Sequence, residues 1–169
     1  MTGTGGHRPD RVLAGKRLRL CNVLFPMWLF YLFPTGVWLI LLPANFVVDT
    51  LVLRWGMKRL RIADVTGLWR RSILRVWGFG FLSDLLGAGF ILGLQLLIDA
   101  AGLPWNTFFF PGVTLLSLPG VVLAGFCIYG LNARYAFAGC GLKWEQIRQL
   151  SRMLAVFTAP YAMLIPLYG

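Results

Sequence analysis

The sequence predicts an all-α, polytopic transmembrane helical bundle of five spans, or of four if the last stretch does not cross. Three observations predict it. Apolar residues make up 58% of the 169-residue chain and charged residues only 13%, against about 45–50% and about 25% in soluble domains. The apolar residues come in runs comparable to the roughly 20 residues that cross a hydrocarbon core. The sixteen Lys and Arg residues fall only in alternate connections and the span ends beside them.

Residues 1–17 read as a basic cytoplasmic tail, and 18–169 as a single transmembrane helical domain. The chain is almost uncharged from Leu20 to Val48, too long for one crossing. Phe33-Pro34-Thr35-Gly36 breaks it, since Pro ends a helix ladder and Gly supplies turn geometry. Span 1 is therefore placed at 18–33 and span 2 at 37–57. Span 3 is placed at 73–98 and span 4 at 112–132, with a Pro- and Phe-rich loop between them. An apolar stretch at 153–169 is just long enough for a fifth span.

The charges orient these spans. The tail with the first residues of span 1 carries five basic residues (Arg8 to Arg19), the connection between spans 2 and 3 with the span ends that flank it carries seven (Arg54 to Arg75), and the connection between spans 4 and 5 carries four. Together these are all sixteen. Positive-inside bias then places the N-terminus in the cytoplasm and the protein in the plasma (inner) membrane. The net charge of +10 chiefly reports this orientation. It implies contact with an anionic inner leaflet and no nucleic-acid partner. Trp28, Tyr31, Trp38, Trp55, Trp69, Trp77 and Trp105 lie near span ends, as an aromatic belt requires.

Familiar enzyme chemistry finds no purchase here, so an enzyme is disfavoured. His7 is the only histidine, which removes His-based zinc sites and Ser-His-Asp triads. Gly78-Phe79-Gly80 and Gly139-Cys140-Gly141 lack the spacing of phosphate loops. Cys21, Cys127 and Cys140 form no C-x-x-C pair and read as small packing residues. No residue pattern points to a cofactor or a metal.

The informative residues are polar ones inside spans. Asp49 in span 2 and Asp84 in span 3 each cost about 2.5–3.5 kcal/mol at a helix centre. Asn45 shares a face with Asp49. Gly80, Asp84, Gly87, Ala88 and Gln95 share a face of span 3. Thr114, Ser117, Gly125 and Asn132 form a stripe on span 4. Counted from the basic boundaries at Arg54 and Arg75, the two acids lie at depths that allow them to meet. Asp49, Asp84, Asn45, Gln95 and Asn132 are thus a candidate intramembrane polar site for a proton or a cation. The competing reading is polar glue between helices, or pairing of Asp49 with Arg54 or Arg75. Gly89-x-x-x-Gly93 and Gly120-x-x-x-Ala124 fit close helix approach.

The connection after span 4 holds a second candidate. Lys143, Trp144, Arg148 and Arg152 lie on an amphipathic segment suited to the interface or to docking a cytoplasmic partner. Glu145 and Arg148 are spaced to pair. The sequence accordingly reads as a structural or accessory subunit that scaffolds a membrane complex, through a membrane-protein partner or a second copy of itself. The alternative is a small proton- or cation-linked transporter or channel using the intramembrane Asp residues. A lipid-modifying enzyme ranks third.

Overall fold

The computed structural model describes residues 28–33, 36–103 and 110–165. Among these residues there is no strand. The elements are α1 (Leu29–Leu32), α2 (Trp38–Arg59), α3 (Val65–Ala100), α4 (Gly112–Leu131), a π-helical turn (Asn132–Ala136), α5 (Trp144–Phe157) and a 3-10 turn (Tyr161–Leu164). Three of them are long and apolar enough to cross a membrane: α2, α3, and α4 counted through Ala136. The expected basic tail, most of span 1, Cys21 and Trp105 lie outside the described residues.

α2 and α4 fall where spans 2 and 4 were expected. α3 begins well before the expected 73, because the Asp64 carboxylate accepts the Gly67 backbone N–H at 2.8 Å. That caps a helix start, so a basic turn holding Arg70 and Arg71 extends the apolar rod. Span 5, expected over 153–169, is not one helix. α5 starts at Trp144 and stops at Phe157, and the chain is irregular to Pro160. Pro has no N–H to donate, and its ring disfavours helix at the residue before it.

This C-terminal limb, α5 plus the 3-10 turn, lies along α2 and α4. A Cβ placed on Gly56 would stand 2.9 Å from Leu150 and 3.4 Å from Met153. Phe157 meets Trp55 edge-on at 5.4 Å. The Thr114 hydroxyl, near the start of α4, donates to the Leu164 carbonyl at 3.1 Å. The limb therefore runs from the basic end of α2 to the opposite end of the bundle, interrupted on the way.

The core has two parts. At the basic end Leu53, Met57, Ile128, Phe137, Leu150 and Leu154 pack together. At the other end Trp28, Tyr31, Ala88, Ile91, Leu116 and Met163 do so. Trp28 and Tyr31 are buried, so these two belong to the core rather than to an aromatic belt. The Trp38 indole N–H donates to the Phe30 carbonyl at 2.7 Å, and that of Trp77 to the Leu42 carbonyl at 3.2 Å. Large apolar side chains such as Leu39, Ile40, Leu97 and Phe126 face outward, a surface suited to lipid and costly in water.

Between α3 and α4 the packing is tightest at Gly87 and Gly120. Of the two small-residue motifs, Gly120 and Ala124 are buried in this contact. Gly89 and Gly93 are exposed, and nothing lies within 4 Å of where a Cβ would be on either.

Candidate functional site

Asn45, Asp49, Asp84 and Thr158 converge on one small cavity, which Gly80 also lines. Each residue arrives from a different constraint. Asn45 and Asp49 are one turn apart on the inward face of α2. Gly80 and Asp84 are one turn apart on α3. Thr158 comes from the interruption of the C-terminal limb. A Cβ on Gly80 would stand 3.3 Å from an Asp49 carboxyl oxygen, so the missing side chain makes room for that carboxyl group.

Asn45 donates its side-chain N–H to Asp84 Oδ2 at 3.3 Å. The other Asp84 oxygen is buried and has no hydrogen-bond partner among the described residues. The Thr158 hydroxyl and the Thr158 backbone N–H both donate to the Leu154 carbonyl, at 2.9 and 2.8 Å. Both carboxyl groups are almost fully buried, at 4% and 3% exposure. The cavity is about 20 Å³, enough for one water molecule or a group of that size.

No Lys or Arg lines this cavity. The two arginines whose depth suited them to the acids are engaged elsewhere. The Arg54 guanidinium lies over the Trp69 ring at 5.8 Å, and Arg75 donates to the Ala138 carbonyl at 3.1 Å. The pair is thus two acids in one low-dielectric pocket without a cation from the described residues. Such a pair repels itself when both groups are ionised, and a shared proton or a bound cation relieves that repulsion.

Two residues grouped with the acids by helical face lie elsewhere. Gln95 is on the same buried face of α3, but eleven residues further on, about 16 Å along the axis. It donates to Asp99 at 3.0 Å. Asn132 is fully buried and donates to the Ile128 carbonyl at 2.8 Å. The meeting of Gly87 with Gly120 sets the antiparallel register and puts Asn132 level with Arg75, roughly 13 Å from Asp84. Thr158 was missed in the sequence, although Thr158-Ala159-Pro160 inside an apolar run was a visible signal of interruption.

The amphipathic segment forms as α5. Its Leu150, Ser151 and Leu154 are buried. Lys143, Trp144, Arg148 and Arg152 are exposed. Glu145 and Arg148 form no ion pair; instead the Lys143 backbone N–H donates to Gln146 Oε1 at 3.2 Å.

Comparison with family models, curated proteins and solved structures finds no match to the chain.

Proposed function

We propose that the protein is a multi-pass membrane protein, N-terminus in the cytoplasm of the plasma (inner) membrane, that works as a small proton- or cation-linked transporter or channel. Asp49 and Asp84 exchange a proton or a small monovalent cation, and Asn45 and Thr158 supply the neutral polar partners. The observation that carries this reading is the shared pocket of two buried carboxyl groups at the point where the C-terminal limb is broken. Discontinuous helices place free backbone groups beside ion sites in transporters, and intramembrane acids mark such sites by default.

The test is flux through proteoliposomes of the purified full chain. A sodium or potassium gradient is imposed and the luminal pH is followed with a dye. The wild type is expected to move protons or the cation, and the double variant Asp49→Asn/Asp84→Asn to lose that movement while keeping its circular dichroism. Equal flux in both proteins overturns the reading.

The second reading, a structural or accessory subunit scaffolding a membrane complex, is favoured by a different observation. Gly78, Gly89 and Gly93 lie on an exposed strip of α3 with open space beside them, which suits close approach of another helix. Crosslinking from Gly89→Cys in native membranes would capture that partner or a second copy of the chain.

A further inference from the structure

A larger cavity lies elsewhere. A groove of about 480 Å³ runs between α4 and the C-terminal limb. Val121, Gly125 and Phe126 line it from α4, and Ala155 from α5. A Cβ on Gly125 would lie 3.8 Å from the Ala155 carbonyl oxygen, so the absence of a side chain there deepens the groove. Its volume falls within the range of pockets that enclose a drug-sized or lipid-sized molecule, roughly 300–1,000 Å³.

The groove has a polar end. Tyr129 and Arg152 line it, and both belong to the basic end of the bundle. Arg152 is the neighbour of Met153, which packs under Gly56, two residues beyond Arg54. Among the described residues Arg152 has no hydrogen-bond or ion-pair partner. The third polar member, Tyr161, is already committed, since its hydroxyl donates to the Val156 carbonyl at 2.6 Å.

We infer that this groove holds one acyl chain of an anionic phospholipid, with the headgroup phosphate at Arg152 and Tyr129. The argument is one of charge and place. An apolar groove on the outward face of a bundle of this kind opens onto lipid tails. An uncompensated guanidinium at its basic end lies where phosphates lie. Basic pockets between membrane helices select anionic headgroups in the same way, and Arg meets phosphate with two parallel N–H donors. A zwitterionic lipid would fill the groove equally well but would gain less at Arg152.

The experiment is native mass spectrometry of the full chain after incubation with equal amounts of phosphatidylglycerol and phosphatidylcholine of matched acyl chains. Wild type is expected to retain phosphatidylglycerol preferentially. Arg152→Gln is expected to reduce that preference by roughly fivefold, the factor one basic residue supplies toward an anionic leaflet. Arg70→Gln removes the same charge from α3, outside the groove, and should leave the preference in place. Gly125→Leu fills the groove and should reduce retention of both lipids, with Val122→Phe as the second filling variant if Gly125→Leu does not fold. Equal retention of the two lipids by wild type overturns the inference. So does an Arg70→Gln loss as large as that of Arg152→Gln, or undiminished retention in a folded filling variant.

Discussion

Gly87 and Gly120 meet backbone to backbone. A Cβ on Gly87 would stand 2.8 Å from the Gly120 carbonyl oxygen and 3.0 Å from the Ala124 Cβ. One on Gly120 would press on the Ile91 side chain and stand 2.9 Å from the Gly87 carbonyl oxygen. This contact sets the register of α3 on α4, and hence the depth of Asp84. Gly120→Leu is expected to destabilise the protein by about 1–3 kcal/mol, the usual cost of overpacking. Loss of stability is read from the unfolding midpoint in mixed detergent, with Gly89→Leu, on the exposed face, as the near-neutral comparison.

The stability of Asp84 variants separates a functional site from polar glue. Asp84 has one weakly held oxygen and one with no hydrogen-bond partner among the described residues. Asp84→Leu removes the unsatisfied acceptor, and the Asn45 amide that loses its partner is only part-buried, so stability is expected to change by no more than about 1 kcal/mol while flux is abolished. A loss of several kcal/mol in unfolding free energy would instead make Asp84 a structural tie.

Asn45→Ala removes the side-chain donor that Asp84 has among the described residues. The acceptor is left buried without it, at an expected cost of about 1–3 kcal/mol. In the Asp84→Leu background the same change should cost much less, because nothing remains to be satisfied. A double-mutant cycle on the unfolding midpoint measures the difference.

The Asp64 cap is a local and independent device. Asp64→Ala removes the acceptor for the Gly67 N–H, and the expected loss is about 1 kcal/mol. Amide hydrogen exchange should quicken in the first turn of α3 and be unchanged at Asp84.

The limb makes a prediction about sidedness. Leu164 meets Thr114, whereas Lys143 lies at the far, basic end. A reporter fused after Gly169 is expected to face the side opposite one inserted at Gly139. Identical sidedness of the two fusions would show that the limb turns back.

The long helices were legible because hydrophobic length and charge placement act locally. α2 and α4 need little more than their own residues to be placed. α3 was read too short because Arg70 and Arg71 look like loop, while the cap at Asp64 that extends the helix was overlooked. That the two acids could meet was read from depth, a quantity that rise per residue supplies. Helical face alone was less discriminating. It assigned Gln95 and Asn132 to the same group, yet one partners Asp99 and the other lies level with Arg75. Thr158 enters the pocket only because a distant part of the chain folds back onto α2, and no spacing rule carries that information.

The segmented C-terminal limb also bears on assembly. Its first half carries Glu145, Arg148 and Arg152, each too costly for unaided entry into hydrocarbon. Its apolar remainder, from Met153 on, is interrupted at Thr158-Ala159-Pro160, so it is not one continuous helix that satisfies its own backbone in hydrocarbon. The surface formed by α2 and α4 supplies what the interrupted limb lacks, and the pocket at Asp49 and Asp84 closes when the limb docks there.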